Sequence, residues 1–328
     1  SDILKKTRML NLKSSRFGNF LITKNNSDFV RPVSPDYVDP YGNNAVNFYG
    51  SHENYLTTRT WFWIGDGFFP PKRNSFERKF IPFLVSRIIL HGSGGFWWTP
   101  EKNWQYVLSP RAFLIEELYG KNTTYNRPLL QMKKSYGHAQ AGRFHLIYAD
   151  SNMSDWSTFI KFGTTHLVLR VLEETDVKSF WPQLDNPLWA LQDFSSDLSL
   201  KHRISIGGKK EFTAIELQKF YLDLVLRLKL SEEEKEIVSY WTSVLQKLEE
   251  DPESLSEELD WAIKLSFLRR SMEKNFYSFQ DKRVRTFDVL YSDISENGFF
   301  NRLKNSGKIK QFFSEEDIKR ASFNFINV

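Results

Sequence analysis

The chain has 328 residues and no cysteine, which excludes disulfides, zinc–thiolate sites and thiol nucleophiles and makes a reducing cytoplasm its natural setting. It has no apolar run approaching the roughly eighteen residues that a membrane-spanning helix needs, so no span is expected. Its opening segment, SDILKKTRMLNLKSSRFGNF, scatters basic groups and holds no uninterrupted apolar stretch, so no signal peptide is expected either. Charge of one sign is scarce too. The 45 basic and 40 acidic residues leave a net charge of +5 mixed along the chain, whereas nucleic-acid-binding domains gather basic charge on one face, so nucleic acid is not the expected partner. Lys133-Lys134 and Lys209-Lys210 could attract an acidic partner or phosphate, or be solvated loops. What the chain does have is apolar and aromatic material, 41% and 16% of residues, enough for one large core.

From Thr213 the pattern turns helical. Gly207-Gly208 marks the boundary, and Thr213 with Glu216 forms a capping box that satisfies amides left open at a helix start. Leu217, Phe220, Tyr221, Leu224, Val225 and Leu228 then keep the rhythm of one buried helical face. A second box, Ser231 with Glu234, opens a helix carrying Ile237, Trp241, Val244, Leu245 and Leu248 until Asp251-Pro252 ends it, and the two helices should pack as a hairpin. A third helix is expected from about Ser256 to Ser271, and a short one from Glu315 to Arg320. The first half, rich in Pro, Gly and Asn from Pro32 to Gly50, reads as short strands joined by loops. Within it, Phe80 to His91 suits a buried helix. Arg143 to Asp150 alternates as a strand, with Arg143, His145 and Ile147 on one face and Phe144, Leu146 and Tyr148 on the other, and a helix to about Glu173 follows. The expected organisation is residues 1–212 as an α+β core and 213–328 as a helical continuation of the same domain.

The segment YGSHENYL (49–56) gathers a histidine, a carboxylate and an amide in His52, Glu53 and Asn54, groups that could contact a metal or phosphate and that also fit a polar loop. This octet resembles the YGSHENYL of the Pup ligase and Pup deamidase/depupylase family, and further segments resemble that family in the same order. LSPR (108–111) is similar to its LSQR, TTYNRP (123–128) to its TTxxRP, and RFHLIYADSNMS (143–154) to its RLHVIVGDxNMS. Shorter likenesses at 167–170, 217–221, 259–261 and 291–293 extend the resemblance from about Asn25 to Glu316. Ser51, where the ligase branch usually has cysteine, leans toward the deamidase branch.

The resemblance implies a glutamine-synthetase-like antiparallel sheet that cups ATP and Mg2+ and acts on the C-terminal Glu or Gln of a Pup-like protein modifier. It puts His52, Glu53, Asn54 and Arg143 near the nucleotide, Arg143 in the catalytic role toward phosphate or the substrate carboxylate, and His52, Glu53, His145 and His138 as metal ligands. Asn152 is expected to cap the next helix. The family's TEVEYG-like strand and Asp-His-Ala-His-Pro-Glu stretch do not occur, and its NTRDEPHA becomes QMKKSYGHA (131–139), which keeps His138 but loses the acidic pair and the arginine. A magnesium site missing those carboxylates needs oxygen donors from elsewhere, so a second chain is expected to supply the missing elements. The alternative is a non-catalytic binding subunit on the same fold, for which Trp61, Trp63, Trp97 and Trp98 would help form a surface.

Overall fold

A computed structural model of the chain describes residues 23, 26–27, 48–57, 76–120, 122, 126–131, 143–174, 181–314 and 316–317. His138, Trp61, Trp63, the Lys133-Lys134 pair and most of the 315–320 segment lie outside them.

In chain order, the strands are β1 (Asn26–Ser27), β2 (Phe48–Tyr49), β3 (Ser51–Leu56), β4 (Gly95–Thr99), β5 (Asn103–Val107), β6 (Glu117–Gly120), β7 (Pro128–Gln131), β8 (Arg143–Ala149), β9 (Ile204–Ile206) and β10 (Lys210–Phe212). The central sheet has the order β3-β8-β7-β6. It departs from the expected antiparallel form at one edge, because β6 and β7 run parallel, with Tyr119 beside Leu130 and Gly120 beside Gln131. β4–β5 and β9–β10 are separate antiparallel hairpins. The β9–β10 turn needs two consecutive positive φ angles, and Gly207 (59°) and Gly208 (64°) supply them without a Cβ penalty.

The helices are α1 (Phe76–Ser86), α2 (Ile88–His91), α3 (Asp155–Glu174), α4 (Pro187–Ser196), α5 (Ala214–Val225), α6 (Glu232–Glu250), α7 (Asp260–Asn275), α8 (Lys282–Tyr291) and α9 (Phe299–Asn305). The buried helix expected at 80–91 is present but breaks at Arg87, which splits it into α1 and α2. Both capping boxes form, with each hydroxyl accepting the N3 amide and each glutamate accepting from the cap amide. The third helix starts at Asp260 rather than Ser256; a 310 turn at Pro252–Leu255 and a non-helical turn at 256–259 precede it. Asn186 before Pro187 caps α4, and Asp281 caps α8.

The helices α1 to α3 cover one face of the sheet. Phe80 of α1 meets Phe144 of β8 edge-on at 5.0 Å, and Leu146, Ile160, Leu167 and Val168 are fully buried. The same apolar cluster continues through Leu217, Tyr221 and Trp241 to Trp261 and Val284, so the sheet shares its core with α5 to α8, while Phe300 and Leu303 of α9 pack in a second cluster with Ile263 and Tyr291. Among the described residues no helix is long and apolar enough to cross a membrane.

Candidate functional site

Strand geometry divides the His-Glu-Asn triplet. Successive side chains of an extended strand point to opposite faces. His52 and Asn54 are exposed, whereas Glu53 between them is fully buried. In the β3–β8 register Asn54 stands opposite His145, Leu56 opposite Arg143, and Glu53 opposite Leu146. On β7, Gln131 stands opposite His145, so Asn54, His145 and Gln131 form one row across three strands.

On the open face the two histidines meet. His145 Nε2 lies 3.3 Å from His52 Nδ1, with ring centroids 5.1 Å apart and planes tilted by 59°. One of those nitrogens carries the hydrogen and the other accepts it, so the contact couples the tautomers of both rings. Residues separated by about ninety positions thus share one polar surface, and Arg143 is the first residue of β8. The sequence reading puts Glu53 beside His52 with nucleotide and metal. The structure instead places it beneath the sheet, where Arg87 grips it with Nη2 2.8 Å from Oε1 and Nη1 3.1 Å from Oε2. The Tyr55 hydroxyl also donates to Oε2. Burial opposes ionisation of Glu53, yet the Arg87 and Lys161 charges outweigh it and hold the carboxyl below its usual range. Burial likewise works against the Arg87 charge, and the Glu53 carboxylate more than restores it. The carboxylate is therefore a charged anchor of the fold.

Asn152 also has a different place from the helix cap expected of it. Its Nδ2 donates to His91 O at 2.9 Å and to Asp260 Oδ2 at 3.0 Å, while Ser154 takes the cap position of α3. Asp260, which lies in the 259–261 likeness but to which the sequence assigns no role, collects the amides of Met153 and Ser154 and the hydroxyl of Tyr291 as well. It ties the end of β8 to the start of α7. Arg111, from the LSPR segment, is buried and donates Nε to Ile147 O at 2.9 Å. Its pKa falls to about 10, chiefly through burial, with Asp150 opposing and Arg127 reinforcing the shift.

Magnesium takes oxygen ligands in a near-octahedral set. Among the described residues no group of three or more His, Asp or Glu side chains could hold a metal ion. With Glu53 committed to Arg87, the described part of this face offers imidazoles and amides, which do not make a magnesium site by themselves.

A family model described as Pup-ligase protein matches residues 36–324. The Pup–protein ligase of Acidimicrobium ferrooxidans is 32% identical over 313 residues, covering 93% of this chain and 63% of that protein. The Pup deamidase/depupylase of Mycolicibacterium smegmatis is 33% identical over 283 residues, covering 83% of this chain and 54% of that protein. The chain therefore spans about six tenths of the length of the curated relatives it matches. Among solved structures, the Pup ligase PafA in complex with ADP superposes with a TM-score of 0.76 at 24% identity, covering 98% of this chain and 67% of that one. PafA in complex with Pup gives 0.74 at 25% identity, covering 97% and 62%. On an α+β, glutamine-synthetase-like fold, this chain belongs to the Pup-ligase protein family.

Proposed function

We propose that the chain carries the central part of an ATP-dependent enzyme that acts on the C-terminal Glu or Gln of a Pup-like protein modifier, as a deamidase/depupylase or as a ligase. The observation that supports this most is the meeting of His52 and His145 on one open sheet face, from two segments that both resemble family motifs. A solved relative holds ADP and another holds Pup, which favours a nucleotide and a modifier tail as the two ligands here. On this reading His52, Asn54 and Arg143 face the nucleotide, Arg143 meets phosphate or the substrate carboxylate, and the tautomer-coupled imidazoles hold a proton at a defined atom. ATP supplies the phosphoryl group in the ligase chemistry, and Mg2+ needs further oxygen donors, from outside the described residues or from a second chain. His138 remains a candidate ligand. Ser51 leans the reading toward the deamidase branch, while identities of 32% and 33% to a ligase and a deamidase do not separate the two. The cytoplasm suits this chemistry.

Isothermal titration with Mg-ATP tests the reading. Saturable binding, weakened at least tenfold by His52→Ala, is expected. A chain that gives no heat, alone or with a co-purifying partner, is not this enzyme. The commitment of Glu53 to the core favours a second reading in that event, a non-catalytic binding subunit built on the same fold.

A further inference from the structure

The strands β3 and β8 do not pair evenly. Ser51 faces Ala149 and Glu53 faces Leu146, so Ile147 and Tyr148 together oppose His52. Such a bulge bends the strand and re-aims side chains around it. Both bulged residues are held by buried arginines. Arg111 donates to the Ile147 carbonyl through Nε and Nη2, and its side chain lies so close over Gly50 that a Cβ there would fall 2.2 Å from Nε. Arg87 donates Nε to the Tyr148 hydroxyl, which in turn donates to Leu84 O at 2.6 Å.

Arg87 also grips Glu53 with both terminal nitrogens, and Nη1 reaches the Thr165 hydroxyl of α3. One planar cation is thus bonded to β3 at the residue next to His52 and to β8 inside the bulge. Its position at the α1–α2 break joins that grip to the helical layer. We propose that Arg87 is a positioning residue, whose guanidinium fork fixes the β3–β8 bulge and thereby sets the contact between His52 and His145 on the opposite face. Arginine suits this task because its donors diverge in a rigid plane, whereas lysine offers one point charge that cannot hold Glu53 and Tyr148 at once. The inference rests on the geometry of the histidine pair and not on the nucleotide.

The test compares the wild-type chain with Arg87→Lys and with Tyr148→Phe, the latter losing only the hydroxyl that Arg87 Nε reaches. 15N-histidine spectra, recorded where the rings are neutral and assigned with His52→Asn and His145→Asn, report the tautomer of each ring. In the wild type both rings show locked, unequal Nδ1 and Nε2 shifts. In Tyr148→Phe, and further in Arg87→Lys, these move toward tautomer-averaged values while the signals of His166 and His202, which contact Glu234 and Asp193 instead, stay in place. A role confined to stability lowers the melting temperature but leaves the spectrum of the folded molecules unchanged. That result in Tyr148→Phe, which keeps the ring volume and the ion pair and so keeps the fold, overturns the proposal. Mg-ATP titration of the same samples separates the two ideas: locked rings in a wild-type chain that binds no nucleotide sink the proposed function and leave this inference standing, and averaged wild-type rings with intact nucleotide binding do the reverse.

Discussion

Two buried carboxylates hold this molecule together by different means. Glu53, under the sheet, is neutralised by a cation, the Arg87 fork at 2.8 and 3.1 Å. Asp260, at the start of α7, is held by four hydrogen-bond donors, with no cation in ion-pair contact among the described residues. The difference follows from what each must join. A sheet, a helix break and α3 meet at Glu53, and a long forked side chain can span all three. The end of β8 turns directly past the start of α7, so its own backbone amides reach Asp260. The first arrangement depends on charge balance, and the second depends on donor geometry.

That contrast can be broken by replacement. Arg87→Met leaves Glu53 buried and unpaired, which costs about 3–5 kcal/mol, whereas Glu53→Met with Arg87→Met should recover most of the loss because both desolvated charges go together. Urea unfolding of the three proteins checks this, and a double variant as unstable as the single would refute the charge-balance account. Asp260→Asn turns an amide NH2 toward groups that donate, costing about 1.5–3 kcal/mol for each charged hydrogen bond lost. No second replacement should rescue it, since no cation is left behind. Rescue of Asp260→Asn by removing Lys264, whose ion-pair partner is Asp288, would show that charge governs this site as well.

How much of this was legible in the sequence differs between the same two regions. The helical half announced itself through Thr213–Glu216 and Ser231–Glu234, because a capping box is a local device whose partners lie three residues apart. The caps Asn186 and Asp281 were equally visible as residue types, yet the short helices behind them carry too few turns for a periodic pattern. Around the sheet, alternation read along 143–150 put Phe144, Leu146 and Tyr148 opposite His145, as observed, and the same rule applied to 51–56 would have turned Glu53 away from His52. What no local rule could supply was Arg87, whose partners lie 34, 61 and 78 positions away. An arginine inside an apolar stretch is the one signal that was available. The parallel β6–β7 edge and the β3–β8 bulge are tertiary outcomes with no local signature.

A third buried group sharpens the comparison because, among the described residues, it has neither kind of partner. Both ring nitrogens of His91 are buried, and no described side chain or backbone group hydrogen-bonds to them. Burial, reinforced by the Arg87 and Lys161 charges, pushes its pKa well below the usual 6.5. The unfolded chain therefore takes up a proton near pH 6.5 that the folded chain refuses, so the folded state loses stability as pH falls below that value, by up to about 1.4 kcal/mol per pH unit. His91→Phe removes this dependence and keeps the backbone carbonyl that Asn152 uses. Urea midpoints at pH 7 and pH 5.5 should converge more closely in the variant than in the wild type, and equal differences in the two proteins would place His91 in contact with water.

The smallest effect comes from a pair that looks as good as Glu53–Arg87 by distance alone. Lys219 Nζ lies 2.7 Å from Glu249, bridging α5 and α6, yet its side chains are 41% and 56% exposed where those of Arg87 and Glu53 are both 0%. Water and salt screen the exposed charges, and ordering two long side chains costs entropy that the contact barely offsets. Lys219→Met should therefore lower stability by less than about 1 kcal/mol, and the difference should shrink further when salt is raised. The loss left by removing Arg87 should persist in the same salt, because no ion reaches a desolvated carboxylate. If both losses faded together in salt, the Glu53 carboxylate would be open to solvent, and Arg87 would not fix the strand above it.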